Sequence, residues 1–436
     1  MSQLMRVSIR RAGKRLPAIA ALLAGAAGMA HADALQDLKA EVDALRKEVA
    51  GLKNQPTGAA PANAVTAGAT KGSFKLPGSD TSVTIGGYAK LDALYSSRSA
   101  GTNAAADQFF DPTAIPVGPD AGATERHQIT LHARQSRLFL KTNSPSSWGD
   151  VNTHLEFDLF GASGNESVSN SNNLRVRHAY GSIGGLLAGQ TWSNFMVVSA
   201  LPESLDFGGP AGQTFVRQAQ LRWTQAFGGG QWSVALENPE TVVTRPDGTS
   251  VRADDDRVFD LTGNLGFKTT FGDYALTGLL RQVRIDTATP AALDSKVGGA
   301  VSLYGVVPVF GNDSFNFSIT AGNGVGRYWG GLLSDGFVDA ADKLDLPDQV
   351  GGFVAYRHHW TGALRSTLAL GAVKADNPSF AVGTVNKSFR SAHLNLIWNP
   401  VASTSLGAEY IFGRHETEAG LSGSVNRLQT SVQYSF

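Results

Sequence analysis

The sequence feature that most constrains the fold is an alternation of period two, which runs through the chain from about Ser73 onward. In segment 427–436, even positions carry Leu, Thr, Val, Tyr and Phe, whereas odd positions carry Arg, Gln, Ser, Gln and Ser. Segments 151–159 and 405–412 alternate in the same way. Because successive side chains of a strand point to opposite faces, each segment predicts a strand with one apolar and one polar face. A soluble sandwich and a membrane barrel both alternate in this manner, with the apolar face inward or outward respectively.

The lengths of the connections distinguish between these two folds. Strands are predicted to begin near residues 82, 127, 150, 174, 186, 214, 231, 258, 274, 296, 314, 348, 363, 388, 404 and 425. Short connections are predicted at 143–149, 184–185, 228–230, 272–273, 311–313, 361–362 and 399–403, with eight longer, mostly polar loops between them. Tight turns at one end and longer loops at the other are typical of outer-membrane barrels.

We therefore predict an all-β fold, a 16-stranded antiparallel transmembrane β-barrel formed by residues 73–436. No stretch of about 18 apolar residues follows the N-terminal segment, so a chain that spans a membrane must do so as a closed barrel. The terminal aromatic, Phe436, resembles the assembly signal of outer-membrane proteins. Tryptophans near predicted strand ends fit an aromatic girdle, namely Trp148, Trp192, Trp223, Trp232, Trp360 and Trp398. A barrel of about 16 strands leaves an aqueous lumen, which makes transport the default function.

Residues 1–32 are predicted to be a signal peptide. Five basic residues precede a short apolar run, and Ala30-His31-Ala32 fits a small-residue cleavage site. Removal of this segment leaves 32 basic and 37 acidic residues, a net charge of −5, which does not suggest a nucleic-acid partner. The chain has no cysteine, so thiol chemistry and a cysteine-based zinc site are excluded.

Residues 33–53 are predicted to form a short coiled coil in the periplasm. Leu35, Leu38, Val42, Leu45, Val49 and Leu52 are spaced alternately by three and four residues, which is a heptad seam. A plain amphipathic helix packed on the barrel is the alternative. Fewer than three heptads cannot hold chains together alone, so the helix would support an assembly formed elsewhere. Residues 54–72, rich in Ala, Pro, Gly and Thr, are predicted to be a flexible linker.

Charged side chains on the polar strand faces are expected to set the selectivity of the lumen. Alternation places several arginines on inward faces, namely Arg134, Arg175, Arg177, Arg222, Arg357 and Arg427. Inward carboxylates are expected at Glu156, Asp158, Glu237, Asp260 and Glu409. A basic strip that faces an acidic one would bind anions and orient a dipolar solute. A structural salt bridge between neighbouring strands is the alternative for any single arginine.

The third long loop, predicted over residues 192–213, is too apolar to lie in water. It contains Phe195, Met196, Val197, Val198, Leu201 and Leu205, together with the carboxylates Glu203 and Asp206. We expect it to fold into the lumen and form the constriction. Packing over a neighbouring subunit is the alternative.

The chain resembles the DcaP-like trimeric outer-membrane porins. The resemblance is carried by segments 73–78, 85–92, 133–138, 155–158, 175–181 and 187–193. It implies a homotrimer with a periplasmic coiled coil that takes up small anionic solutes, dicarboxylates in particular, through a constriction with arginines. We carry this role over to Arg134, Arg175, Arg177 and Arg222. Arg137 belongs to the same motif, but alternation places it on the outward face.

The rival functions are an outer-membrane enzyme and a structural or adhesive barrel. His358 and His359 are adjacent and would point to opposite faces, and His132 and His154 lack a nucleophile, so no catalysis is expected. No metal or cofactor site is expected either. A structural or adhesive barrel, linked to the periplasm by its coiled coil, remains the alternative function. The expected partners are other copies of the chain, small anionic solutes and outer-membrane lipid.

Overall fold

The computed structural model describes residues 32–54, 64–98, 108–119, 121, 127–161, 169–170, 172–253, 256–286 and 293–436. The predicted signal peptide lies outside these residues except for its last position. The chain divides into two compact units, Met1–Ala64 and Val65–Phe436. The boundary falls inside the predicted linker, whose last residues belong to the second unit: Ala67 forms an isolated bridge with Phe74.

Where it is described, the first unit is one helix, α1 (Ala32–Asn54), in agreement with the predicted helical segment. Its heptad positions Val42, Leu45 and Val49 are 41%, 50% and 50% exposed. These apolar side chains are therefore open to water in the isolated chain, and removal of such surface from water is favourable. No helix among the described residues has both the length and the apolar character needed to cross a membrane.

The second unit is built almost wholly from strands. In chain order they are β1 (Phe74–Lys75), β2 (Ser82–Ser96), β3 (Gln128–His132), β4 (Arg137–Ser144), β5 (Val151–Asp158), β6 (Arg175–Ile183), β7 (Leu186–Trp192), β8 (Arg217–Phe227), β9 (Gly230–Glu237), β10 (Thr241–Thr244), β11 (Ser250–Ala253), β12 (Asp260–Thr269), β13 (Gly272–Asp286), β14 (Leu293–Pro308), β15 (Ser314–Asn323), β16 (Gly336–Val338), β17 (Leu344–Asp345), β18 (Asp348–His359), β19 (Leu364–Asp376), β20 (Asn386–Val401), β21 (Thr404–Thr417) and β22 (Ser422–Ser435). Single 3-10 turns occur at Pro112–Ala114, Val198–Ala200 and Gly326–Trp329.

Eighteen of these strands form one closed antiparallel sheet. Closure occurs between β2 and β22, which pair from Tyr88↔Ser435 to Ser96↔Arg427. Strands β3 and β4 both pair with β2 and form one interrupted wall strand, and the two-residue β1 pairs only with β2. The wall therefore has 16 strands, which confirms the predicted barrel. Strands β10, β11, β16 and β17 form a separate small sheet within the loops.

The apolar face of the wall points outward. On β20, Leu394 and Leu396 are about half exposed, whereas His393 and Asn395, which alternate with them, are buried inside the barrel. This is the reverse of a soluble sandwich and is the pattern of a membrane barrel. We call the end with the short connections the turn end and the opposite end the loop end. Exposed aromatic side chains ring the turn end: Trp148, Trp223, Trp232, Phe271, Phe310, Trp360, Trp398, Tyr434 and Phe436.

Two predicted details differ from the structure. The eighth loop, 418–421, is as tight as a turn because β21 and β22 continue as a long hairpin to Thr417 and Ser422. Trp192 was expected in the girdle, but its ring lies inside the barrel, where the guanidinium of Arg217 covers it at 4.4 Å. The chain continues from Trp192 into the loop that lies in the lumen.

Candidate functional site in the barrel lumen

The third loop, residues 193–216 between β7 and β8, lies inside the barrel. Phe195 is fully buried and packs edge-to-face on Tyr328, with ring centroids 5.6 Å apart. Its carbonyl accepts hydrogen bonds from the hydroxyls of Thr277 (3.0 Å) and Tyr304 (3.3 Å). Burial of the loop's apolar side chains against the wall explains why an apolar sequence occurs between two strands. This position agrees with the prediction from its composition.

The second half of the loop is held by the strands near the barrel closure. The backbone N–H of Leu205 donates to Glu409. The carbonyl of Leu205 accepts from Lys90 Nζ at 2.7 Å and from Gln429 Nε2 at 3.1 Å. Further along, Gly212 has φ +83°, and a Cβ there would lie 2.1 Å from the carbonyl oxygen of Ala372. Only glycine permits this approach of the loop to the wall.

The two carboxylates of the loop have different roles. Glu203 accepts two hydrogen bonds from Arg365, at 2.7 and 2.6 Å, and lies 3.5 Å from Arg357 Nε. Burial alone would raise the pKa of Glu203, but the Arg365 hydrogen bonds and charge outweigh it and lower the pKa below its ordinary value. Glu203 therefore remains charged and ties the loop to β18 and β19.

Asp206 accepts backbone hydrogen bonds that shape the loop. Its carboxylate receives the N–H groups of Phe110 (2.7 Å), Gly208 (2.7 Å) and Gly209 (3.2 Å). It has no ion pair among the described residues, and burial raises its pKa. Asp206 thus holds the backbone of the loop, whereas Glu203 pairs with arginine on the wall.

Arginines on β6 form a ladder with carboxylates on β5. Arg175 binds Asp158 through two nitrogens, at 3.0 and 2.7 Å. Arg177 binds Glu156 at 2.7 Å and Asp158 at 3.0 Å. The pairing shifts register between Glu156 and Phe157, and the shift brings Arg177 and the adjacent His178 onto the same inner face.

Aromatic rings of the third loop, and that of Trp192 at the end of β7, lie against Arg175 and Arg217. Arg175 lies over the ring of Phe207 at 4.8 Å. Arg217, the first residue of β8, lies over Trp192 at 4.4 Å and over Phe215 at 5.8 Å. Cations over ring faces are held by the ring quadrupole, which fixes the guanidinium planes without neutralising their charge.

The ladder, the loop and β19 enclose a cavity of about 340 Å³. Its lining includes four cationic side chains and two carboxylates: Lys90, Arg137, Arg177, Arg365, Glu203 and Asp206. A second space of about 790 Å³ lies along the wall from β8 to β14 and is lined by Arg222 and the start of the third loop. The first cavity has more cations than carboxylates, which is the arrangement that attracts anions.

Comparison with known proteins agrees with the architecture. A sequence model of the family described as DcaP outer membrane protein matches residues 32–436, which is nearly the whole chain. The chain belongs to the DcaP outer membrane protein family. It is therefore an outer-membrane channel protein of the porin type, and the family resemblance predicted from its motifs is confirmed. No curated protein matched the sequence.

Solved structures extend the comparison to the fold. The outer membrane channel DcaP of Acinetobacter baumannii is 25% identical, with 85% of this chain and 100% of that chain covered, and a TM-score of 0.72. A trimer form of OmpT from Vibrio cholerae is 10% identical, with 82% and 99% covered, and a TM-score of 0.51. The second likeness concerns the fold alone.

The predicted arginines occupy four places in this DcaP family member. Arg175 and Arg177 form the ladder, and Arg357 lies beside Glu203. Arg222 lines the second space. Arg134 is only 2% exposed and lies at the break between β3 and β4. Its Nε and Nη2 donate to two loop carbonyls at 3.1 and 3.0 Å, so it holds backbone and does not line the cavity.

Four cationic residues near the cavity were not predicted. The outward placement of Arg137 is wrong: a tight turn, with Ser136 N–H donating to the carbonyl of Ala133 at 3.0 Å, interrupts the strand and resets its alternation. Arg137 consequently lies 3.4 Å from Glu156. Simple alternation also misplaces Arg217, which sits where the loop enters the strand. The remaining two, Lys90 and Arg365, alternate correctly inward, and a complete count of inward cations would have found them.

Proposed function

We propose that this channel passes small anionic solutes, dicarboxylates in particular, by passive diffusion, with the third loop and the surrounding arginines as its constriction. The observation that carries the proposal is the excess of cations over carboxylates lining the 340 Å³ cavity. In a narrow, partly desolvated passage this excess lowers the energy of an anion and raises that of a cation.

Dicarboxylates fit because the cations come from opposite walls. Counted from β2, strand β6 is the fourth and β19 the thirteenth of the 16, so seven steps separate them around the wall. Arg177 on β6 and Arg365 on β19 line the same cavity. A solute with a carboxylate at each end can approach both, whereas a monoanion approaches one at a time.

Buried donors support the same proposal. Among the described residues, Arg217 Nη1, Arg222 Nε and Arg357 Nε have no hydrogen-bond partner. A buried N–H without a partner costs free energy, and an entering carboxylate oxygen supplies the missing acceptor. The aromatic contacts of Arg217 keep its guanidinium in place between solutes.

A homotrimer is supported by two features of the chain. Strands β5, β7 and β9 have only 8, 7 and 8 residues. A tilted membrane strand needs about 9–11 residues, so the part of the wall that these short strands form is better covered by another barrel than by lipid. The exposed heptad seam of α1 also requires a partner, and a parallel coiled coil with other copies supplies one.

The orientation follows from the even number of strands. With both chain ends on one side and the longer loops on the other, the turn end and α1 face the periplasm and the loop end faces outward. In this orientation solutes enter from the loop side and meet the third loop before the periplasm.

The test is planar-bilayer recording of the purified full chain under a salt gradient. We expect current steps in triplets and a reversal potential that reports anion preference. The variant Arg177→Gln with Arg217→Gln should weaken that preference, whereas the matched control Arg245→Gln with Arg252→Gln, in the β10–β11 hairpin, should not. Cation preference of the unaltered protein would reject the anion assignment, and absence of conductance would favour a structural or adhesive barrel.

A further inference from the structure

An apolar groove of about 810 Å³ runs along the outer face of β15, β18, β19 and β20. Its floor consists of small outward residues, Gly352 and Ala372, and its sides of larger ones such as Ile319 and Leu370. The groove is on the side of the wall away from the short strands. A membrane protein presents this surface to lipid, so the natural occupant of an apolar channel here is an acyl chain.

Three cations border the groove toward the loop end. Lys374 and Arg390 belong to its lining, and Arg414 lies on the next strand. All three are exposed, and their strand neighbours Val373, Phe389, Gly413 and His415 are inward and buried or enclosed. The outward alternation therefore places the cations on the outer wall, at the edge of the apolar band.

The pairing brings like charges together. Arg390 and Arg414 are directly opposite each other on β20 and β21. Lys374 is diagonal to Arg390, because Arg390 pairs with Ala372, two residues earlier on β19. Directly opposite side chains have Cβ atoms about 5 Å apart and diagonal ones about 7–8 Å, and like charges at these distances are destabilising.

Within the described residues, none of these three cations forms an ion pair. The nearest outward carboxylates along the same strands are Asp376 and Glu416, each two residues further toward the loop end. Arg414 Nη2 donates to the hydroxyl of Ser422 at 3.0 Å. Because none of the three cations is paired with a carboxylate, they are available to an external anion, and the groove beside them is available to an apolar occupant.

The height of the row matches a lipid interface. On β20, Trp398 belongs to the turn-end aromatic ring, and Arg390 lies eight residues further along the strand. At about 3.4 Å per residue and a tilt of about 40°, the two are separated by about 20 Å along the membrane normal. The apolar band of a membrane barrel is about 25 Å tall, so the cations lie near the opposite interface.

We propose that Lys374, Arg390 and Arg414 bind the phosphate of an acylated phospho-glycolipid in the leaflet at the loop end, with one acyl chain in the groove. The phosphate offsets the repulsion between the opposed arginines, and the chain covers the small residues of the floor. The proposal is independent of which solute passes through the lumen.

The test is native mass spectrometry of the detergent-purified full chain, titrated with lipid A as the probe. Arg390→Gln with Arg414→Gln should weaken lipid A binding about 30-fold, equivalent to about 1 kcal/mol for each cation at a membrane surface. Lipid A without its phosphates should bind the unaltered chain correspondingly less well. The matched control, Arg245→Gln with Arg252→Gln, removes two exposed arginines elsewhere and should bind as the unaltered protein does.

The groove is tested separately from the charges. Ala372→Phe fills the floor from the outside, so lipid A binding should weaken although every cation is retained. Inorganic phosphate alone should compete poorly, because it lacks the chain. Equal lipid A binding by all variants, or effective competition by inorganic phosphate, would overturn the proposal. Loss of the oligomer in the double variant would assign the surface to a second copy of the chain and reject lipid as its occupant.

Discussion

Replacement of Glu203 by glutamine is the most direct test of how charge in the lumen is set. Glu203 is the loop carboxylate that neutralises Arg365, and it lies beside Arg357. The amide keeps the size of the side chain and one acceptor oxygen. The substitution therefore removes one negative charge from the cavity lining and leaves two arginines less compensated.

The size of the effect follows from the cavity. A sphere of 340 Å³ has a radius of about 4 Å, so a solute at its centre lies about 6 Å from the lining charges. At that distance one charge contributes about 0.7 kcal/mol in water, and about half of this after screening in 0.1 M salt. Anion and cation energies shift in opposite directions, so their permeability ratio should change about three- to tenfold toward anions.

The reversal potential in a planar bilayer under a KCl gradient measures this ratio. The control is Asp80→Asn, which removes an exposed carboxylate that pairs with Lys75 at 3.0 Å, far along the chain from the third loop. The control should leave the ratio unchanged. A shift of Glu203→Gln toward cations, or no shift with unchanged single-channel conductance, would refute the assignment of the cavity as the selectivity region.

Three further predictions concern the loop, the turn end and the helix. Gly212→Ala places a Cβ against the wall at positive φ and should destabilise the folded barrel by more than about 1 kcal/mol. The control is Gly228→Ala, which has open space around it and should destabilise the barrel less. Thermal unfolding measures both. Hydrogen bonds from the Tyr356 hydroxyl, the His359 N–H and His358 hold the pKa of Asp313 below its ordinary value. The stabilisation that they give is therefore complete above about pH 4 and is lost as the pH falls through the folded-state pKa. The difference between the unfolding midpoints of the unaltered protein and of Asp313→Asn should shrink as the pH falls. Val42→Lys should weaken the proposed trimer, measured by mass photometry, without altering the barrel's circular dichroism.

The wall of the barrel is the part of the fold that the sequence predicts best. Alternation in segments such as 405–412 is a direct consequence of one face in lipid and one in water, and it survives errors of a few residues in the strand ends. The apolar third loop was equally informative, because a segment that contains Phe195 must be buried somewhere. In both cases the surroundings of a side chain, whether lipid, water or the barrel interior, determine which residue types occur there.

The arrangement of the candidate site was less predictable. Alternation fails wherever the strand is interrupted, and the turn before Arg137 reverses which residues face inward. It also fails where a loop joins a strand, as at Arg217. Arg134, although in a motif of the family, binds backbone carbonyls. Such differences depend on local backbone geometry and on contacts between distant segments, which no single-segment pattern contains.

The anchoring of Leu205 has a consequence for the order of assembly. Its carbonyl is held jointly by Lys90 from the first long strand and Gln429 from the last, the two strands that close the barrel. Both hydrogen bonds can therefore be present together only when the two ends of the sheet have met. Complete anchoring of Leu205 thus coincides with closure of the barrel.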